Sequence, residues 1–360
     1  MGFDAVVPEA VWPMFGAAQP DRATDFGGGT MLRTIGFLTV LGLVSALACL
    51  VPVGCKAAEE ILDPAVASKD PDFSIQGEYL GSWLGGEKSA LGAQVIAMGD
   101  GKFDVYLLKG GLPGAGWKRG DTRTKVEGRR EGSATALTGK NVGGKIVDGV
   151  MALSMGKGRA ELKRVERKSP TLGAKPPAGA TLLFKDGAGA ENFVEGHVSG
   201  LKALLSGPAS KEKFGDYTLH LEFLLSYMPR ARGQGRSNSG VYVHSCYEIQ
   251  VLDSFGLEGA SNECGGFYGI KEPDVNMCLP PLVWQTYDVE YTGPKYDAAG
   301  KKTANARITL KHNGVTIHDH LELPRATPGR EGEGPGPRAL YLQGHGNKVQ
   351  YNNVWILEKR

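Results

Sequence analysis

From Thr181 to Arg360 the chain is written as short runs in which apolar residues alternate with polar ones, and helical spacing is nearly absent. That pattern leaves few solutions. A period of two sends one face of each run into a core and the other outward. About ten such runs with turns between them make a two-sheet jelly roll. They read at 181–184, 201–205, 216–225, 240–244, 247–252, 286–291, 306–312, 315–321, 338–343 and 349–358. His312-Asn313-Gly314-Val315 is an Asn-Gly hairpin turn. Glycine counts 53 of 360 residues, about twice the usual share of roughly 7%. Glycine serves tight turns and weakens helix interiors, so the expected fold class is all-β.

Residues 72–168 read as a smaller β-domain, a sandwich or barrel. Runs at 92–98 and 102–108 flank the turn Gly99-Asp100-Gly101. Shorter runs follow at 134–138, 145–147, 150–154 and 160–164. The glycine-rich stretch 110–117 lacks the Lys-Ser/Thr ending of a phosphate loop and leads into no helix, so an accessory scaffold is the better reading. Residues 169–180, with Pro170, Pro176, Pro177 and Gly179, are expected to be the linker. The jelly-roll domain is expected over 181–360.

The start of the chain points to export. Met31-Leu32-Arg33, an apolar run from Ile35 to Val53 and the small residues Ala57-Ala58 form a secretory signal over 31–58. Residues 1–30 then read as a mis-called extension. The alternatives are a lipid attachment at Cys55 or an uncleaved membrane anchor. The expected location is periplasmic, extracellular or at the envelope, with membrane contact only through such an anchor. Cys49 and Cys55 belong to this segment. Of the remaining Cys246, Cys264 and Cys278, the last two share one loop and are expected to form a disulfide. Lys and Arg number 41 against 39 Asp and Glu, a formal net charge of +2. A nucleic-acid partner would call for a basic excess.

The polar faces of three segments converge. In Tyr247 to Leu252, Tyr247, Ile249 and Val251 point to the core while Glu248 and Gln250 point away. Ser245-Cys246 is a tight connection to the preceding run, which sets Asn238, Tyr242 and His244 on one side and Val241 and Val243 on the other. Tyr341, Gln343 and His345 share a face. A sheet face carrying Glu, Gln, His, Tyr and Asn suits a cleft that hydrogen-bonds hydroxyls. A solvated outer face is the bland alternative. Two-carboxylate glycoside hydrolysis is poorly served. Laminarinase-type jelly rolls carry Glu-x-Asp-x-x-Glu, whereas here Glu248-x-Gln250-x-x-Asp253 has an amide in the middle, and Asp253 points away from Glu248. One base, one acid and several donors suit proton abstraction beside a carbonyl.

Asn238-Ser239-Gly240, Tyr247 to Asp253, Gly265-Gly266-Phe267-Tyr268-Gly269, Trp284-Gln285-Thr286-Tyr287 and Leu342-Gln343-Gly344-His345-Gly346 occur in that order. Together they resemble the 3-keto-disaccharide hydrolase family, also described as 3-keto-glucoside-1,2-lyases and 3-keto-2-hydroxy-glucal hydratases. The resemblance covers about 181–360. It implies a concanavalin-like jelly roll acting on oxidised, 3-keto sugars. It also implies Glu248 or His244 as base at C2, His345 as acid, and Asn238, Tyr242, Gln250, Tyr268, Trp284 and Gln343 around the substrate. The chain departs from the family where members commonly carry Arg at His244, Asn at Gln285 and Arg at Asn352. No spacing marks a metal site, although Glu248, His244 and Asp253 are candidates for a divalent cation that would stabilise an enolate. Two other functions remain open: a non-catalytic carbohydrate-binding module, or a structural envelope protein attached through its first domain.

Overall fold

The computed structural model describes residues 59–84 and 89–359. The expected extension, the signal, Cys49 and Cys55 lie outside the described residues. The described residues form one compact unit. Two short helices, α1 (Pro64–Ala67) and α2 (Pro71–Ile75), open it, each capped by an aspartate with proline in the first turn. Among the described residues no helix is long and apolar enough to cross a membrane.

The first half closes into an eight-stranded barrel: β1 (Gly77–Trp83), β2 (Ser89–Gly99), β3 (Lys102–Lys109), β4 (Arg123–Glu131), β5 (Ala134–Gly139), β6 (Val142–Val147), β7 (Val150–Met155) and β8 (Gly158–Val165). Each strand pairs with the next in sequence and β8 returns to β1. The predicted Asp-Gly turn is present, with Asp100 and Gly101 both at positive φ, as a two-residue hairpin requires. Tyr79, Val95, Phe103, Val105, Val126, Met151 and Leu162 fill the interior. Side chains thus pack the barrel's interior. Its strands β1 and β4 escape the sequence pattern. In β4 only Val126 and Gly128 are buried among charged neighbours.

The second half is a two-sheet sandwich. Its strands are β9 (Thr181–Phe184), β10 (Leu204–Leu205), β11 (Ala209–Phe214), β12 (Tyr217–Leu224), β13 (Asn238–Val243), β14 (Tyr247–Leu252), β15 (Gln285–Thr292), β16 (Ala306–His312), β17 (Val315–Leu323), β18 (Arg338–Leu342) and β19 (Gln350–Glu358). One sheet runs β9-β19-β12-β15-β16-β17, with β10 beside β19. The other runs β11-β18-β13-β14. Between them lie Tyr247, Ile249, Val251, Val241 and Leu342 from the small sheet, and Leu219, Leu221, Tyr287, Val289, Leu310 and Ile356 from the large one. All-β architecture and the sandwich are thus as expected.

One expectation needs correction, and the connecting segment holds more structure than its composition suggests. Residues 169–180 connect the two halves, but part of this segment is fastened to the large sheet. The Ser169 hydroxyl lies 2.6 Å from that of Thr286, Thr171 donates to Asp288 at 2.7 Å, and the Gly173 amide donates to Glu222 at 2.6 Å. Its hydroxyls and amides find partners that composition does not reveal. Cys264 and Cys278 are buried free thiols, not the expected disulfide, and the Cys264 sulfur sits 3.2 Å from the Tyr287 hydroxyl.

The halves also share material. Leu224, Tyr227 and Leu282 pack into the barrel's core, and Ile96 of β2 packs into the sandwich. Arg119 of the barrel half donates to the Gly259 and Pro273 carbonyls, both at 2.8 Å.

Candidate active site

The hairpin of β13 and β14 sets Tyr242 directly opposite Glu248 and Gly240 opposite Gln250. Alternation sends Val241, Ile249 and Val251 inward, so Tyr242, Glu248 and Gln250 look out from the small sheet. Here they floor a cleft of about 240 Å³ whose lining also includes Gln234, Asn238, Tyr268, Pro328, Gly329, Gln343 and His345. β14 is an edge strand, and its open side is covered. The Gln250 amide donates to the Gly266 carbonyl and Gln250 accepts from the Gly265 amide, each at 2.9 Å. This pairing brings Tyr268 to the cleft and removes a free sheet edge.

Among the described residues lining the cleft, Glu248 is the only acid, and it is 4 % exposed. Its Oε2 lies 3.0 Å from the Tyr242 hydroxyl. Burial pushes its carboxyl up from 4.5 to about 7, and the Tyr242 hydrogen bond only partly opposes that. Room for the carboxylate comes from Gly240: a Cβ there would stand 2.4 Å from Glu248 Oε1. The Glu248 amide donates to Thr327 Oγ1 at 2.8 Å, and the Thr327 amide donates to the Cys246 carbonyl at 2.9 Å. These bonds seat Pro328 and Gly329 against the floor.

Amides form the rest of the wall. Asn238 Nδ2 donates to the Gln234 carbonyl at 2.8 Å and to Gln234 Oε1 at 3.1 Å, and Gln250 Nε2 donates to Gln234 Oε1 at 3.3 Å. Both hydrogens of the Asn238 amide are therefore used, and its unpaired Oδ1 makes it an acceptor, not a donor to an enolate. Gln343 Nε2 donates to the Tyr242 hydroxyl at 3.3 Å, and Gln343 Oε1 has no partner. Buried acceptors of this kind are satisfied when a hydroxyl-bearing ligand or water arrives.

Of the nine residues expected at the site, seven come together: Glu248, His345, Asn238, Tyr242, Gln250, Tyr268 and Gln343. His345 is exposed at the rim, and Tyr242 is fully buried beneath it. His244 does not join them. The chain reverses at His244-Ser245, both at positive φ, so His244 leaves the strand's alternation. Its Nε2 is 2.8 Å from the Gly336 carbonyl, and its ring packs on Tyr291. Trp284 packs against the barrel core instead. Asp253 is paired with Arg236 at 2.6 Å, both buried. Glu248, His244 and Asp253, the candidates for a cation, thus stand in three different places. No group of three or more His, Cys, Asp or Glu able to hold a metal occurs among the described residues.

Sequence reasoning missed Gln234, Pro328 and Gly329. Gln234 sits in Arg232-Gly233-Gln234-Gly235-Arg236, where the glycines announce a loop but nothing marks the amide. Thr327-Pro328-Gly329 reads only as a turn.

A family model described as a 3-keto-alpha-glucoside-1,2-lyase-like domain matches residues 185–357. No curated protein matches the chain. Among solved structures, one from Parabacteroides distasonis ATCC 8503, described as a "putative glycosyl hydrolase", is 26% identical. The match covers 51% of this chain and 85% of that one, with a TM-score of 0.46. Two more from that organism, described in the same words, are 19% and 18% identical with TM-scores of 0.36 and 0.34. They cover 50% and 51% of this chain, and 99% and 94% of their own. Over residues 185–357, the sandwich that builds the Glu248 cleft thus matches the model of the 3-keto-disaccharide hydrolase family.

Proposed function

We propose that this chain is an exported enzyme that cleaves 3-keto-glucosides by abstracting the C2 proton and eliminating the C1 substituent. The observation that carries this is Glu248: one buried carboxyl, lifted to about 7, at the base of a cleft otherwise walled by amides, phenols and a histidine. A general base works best when its pKa lies near the working pH. A ketone at C3 acidifies the C2–H bond enough for such a base. Glu248 takes the proton, the C–H electron pair becomes the enolate, and the C1–O bond breaks with its electrons leaving on oxygen. His345 at the rim supplies the proton to that oxygen. The spare amide hydrogens of Gln250 and Gln343, with the Tyr268 hydroxyl, face the enolate and ring hydroxyls. Water adding across the resulting glucal completes net hydrolysis.

The cleft is smaller than the roughly 300–1,000 Å³ of drug-sized pockets, in keeping with one sugar ring held and the aglycone outside. Export rests on residues 31–58. Incubation with a 3-keto-glucoside should release the aglycone, and the Glu248→Gln variant should not release it. Binding without release would favour the carbohydrate-binding module.

A further inference from the structure

The Tyr242 hydroxyl is within hydrogen-bond distance of two acceptors but has one hydrogen to give. Glu248 Oε2 lies at 3.0 Å and the Pro328 carbonyl at 2.9 Å. Gln343 Nε2, at 3.3 Å, donates to the same oxygen and leaves it one further lone pair. Tyr242 is fully buried, so it acts through Glu248.

From this geometry we infer that Tyr242 is a positioning residue whose hydrogen alternates between Glu248 and the Pro328 carbonyl as Glu248 loses and gains its proton. The inference rests on Glu248 as the base. With Glu248 ionised, Tyr242 donates to the carboxylate. When Glu248 takes the C2 proton, its new O–H donates to the Tyr242 oxygen, and the tyrosine hydrogen turns to Pro328. No proton passes through Tyr242, which stays neutral, and every charge is accounted for by the carboxyl and the substrate. Both protonation states of Glu248 therefore keep a hydrogen bond, so neither is trapped during turnover.

The arrangement is tight on the side of the second acceptor. Gly329 has φ +96, and a Cβ there would stand 2.7 Å from the Tyr242 hydroxyl. An alanine would strain the backbone and crowd the hydroxyl away from the Pro328 carbonyl.

Two variants test this without substrate. Carboxyl-carbon NMR of glutamate-labelled protein, assigned with Glu248→Gln, reads the Glu248 titration directly. Tyr242→Phe removes the donor to the carboxylate, so the Glu248 midpoint should rise by about one unit, tenfold in proton concentration. Gly329→Ala leaves that donor and removes its alternative acceptor, so the midpoint should fall. Opposite shifts support the alternation. Midpoints that stay in place, or that move together, overturn it. Turnover of a 3-keto-glucoside is scored separately. Shifts without turnover in the parent protein would sink the proposed reaction and leave the alternation standing, and turnover without shifts would do the reverse.

Discussion

Glu248 sits where a carboxylate is least comfortable, and this gives it a signature beyond activity. Its folded pKa of about 7 lies above its ordinary 4.5, so the folded protein binds the proton more tightly than the unfolded one. Stability is then full below about 4.5 and declines as pH rises toward 7. Glu248→Gln should abolish turnover while stabilising the fold above pH 7, by no more than about 3.4 kcal/mol. Thermal melts at pH 5 and pH 8 check this, and the gain should be much larger at the higher pH. Gly240→Ala makes the complementary test. The atom it meets first is the end of a flexible side chain, so the fold should survive while the carboxylate moves. Turnover should fall by about 100-fold, the usual cost of misplacing a catalytic group by ~1 Å, measured beside an unchanged circular dichroism spectrum. At this scale the sequence was informative: period-two alternation in β14 separates Glu248 and Gln250 from the core residues. It misled at His244, because a turn with two non-glycine residues at positive φ is not visible in residue type.

Among the elements, the strands with clean alternation and the Asp-Gly and Asn-Gly turns were legible. Asn313 and Gly314 carry the positive φ values that such a turn demands. The edge strand β11 was not legible, because Lys211, Glu212 and Lys213 lie exposed along it. Charge on an edge protects it from other chains but hides it from pattern reading. The 169–180 segment is the larger surprise. Beneath it His220 is fully buried, 2.6 Å from Asp288 and stacked on Trp355. Burial alone would lower its pKa, yet the carboxylates of Asp288 and Glu222 outweigh that and raise it. A raised histidine contributes stability that is fully present below pH 6.5 and lost as pH climbs through the folded value. His220→Gln should therefore destabilise the protein more at pH 6 than at pH 9, which denaturant midpoints at the two values would show.

Across the whole molecule, the barrel belongs to the architecture of the site. The β2 carbonyls of Ala97 and Met98 accept from Arg236 at 3.3 Å and Arg232 at 2.8 Å. Those two arginines bracket Gln234, on which the Asn238 and Gln250 amides converge. Composition gave the barrel away as β-rich, but no residue pattern predicts that its strand end would brace a loop more than a hundred residues later. Arg232→Ala should loosen Gln234 and raise KM roughly tenfold, a loss of about 1.4 kcal/mol in substrate binding, with a smaller effect on kcat. Steady-state kinetics would separate the two. The central claim stands or falls on Glu248 and can be met directly: parent protein and Glu248→Gln are each given a 3-keto-glucoside with a chromogenic aglycone, and release is followed against pH. Release by the parent that rises through about pH 7 and vanishes in the variant is the expected result. Undiminished release by the variant would contradict it.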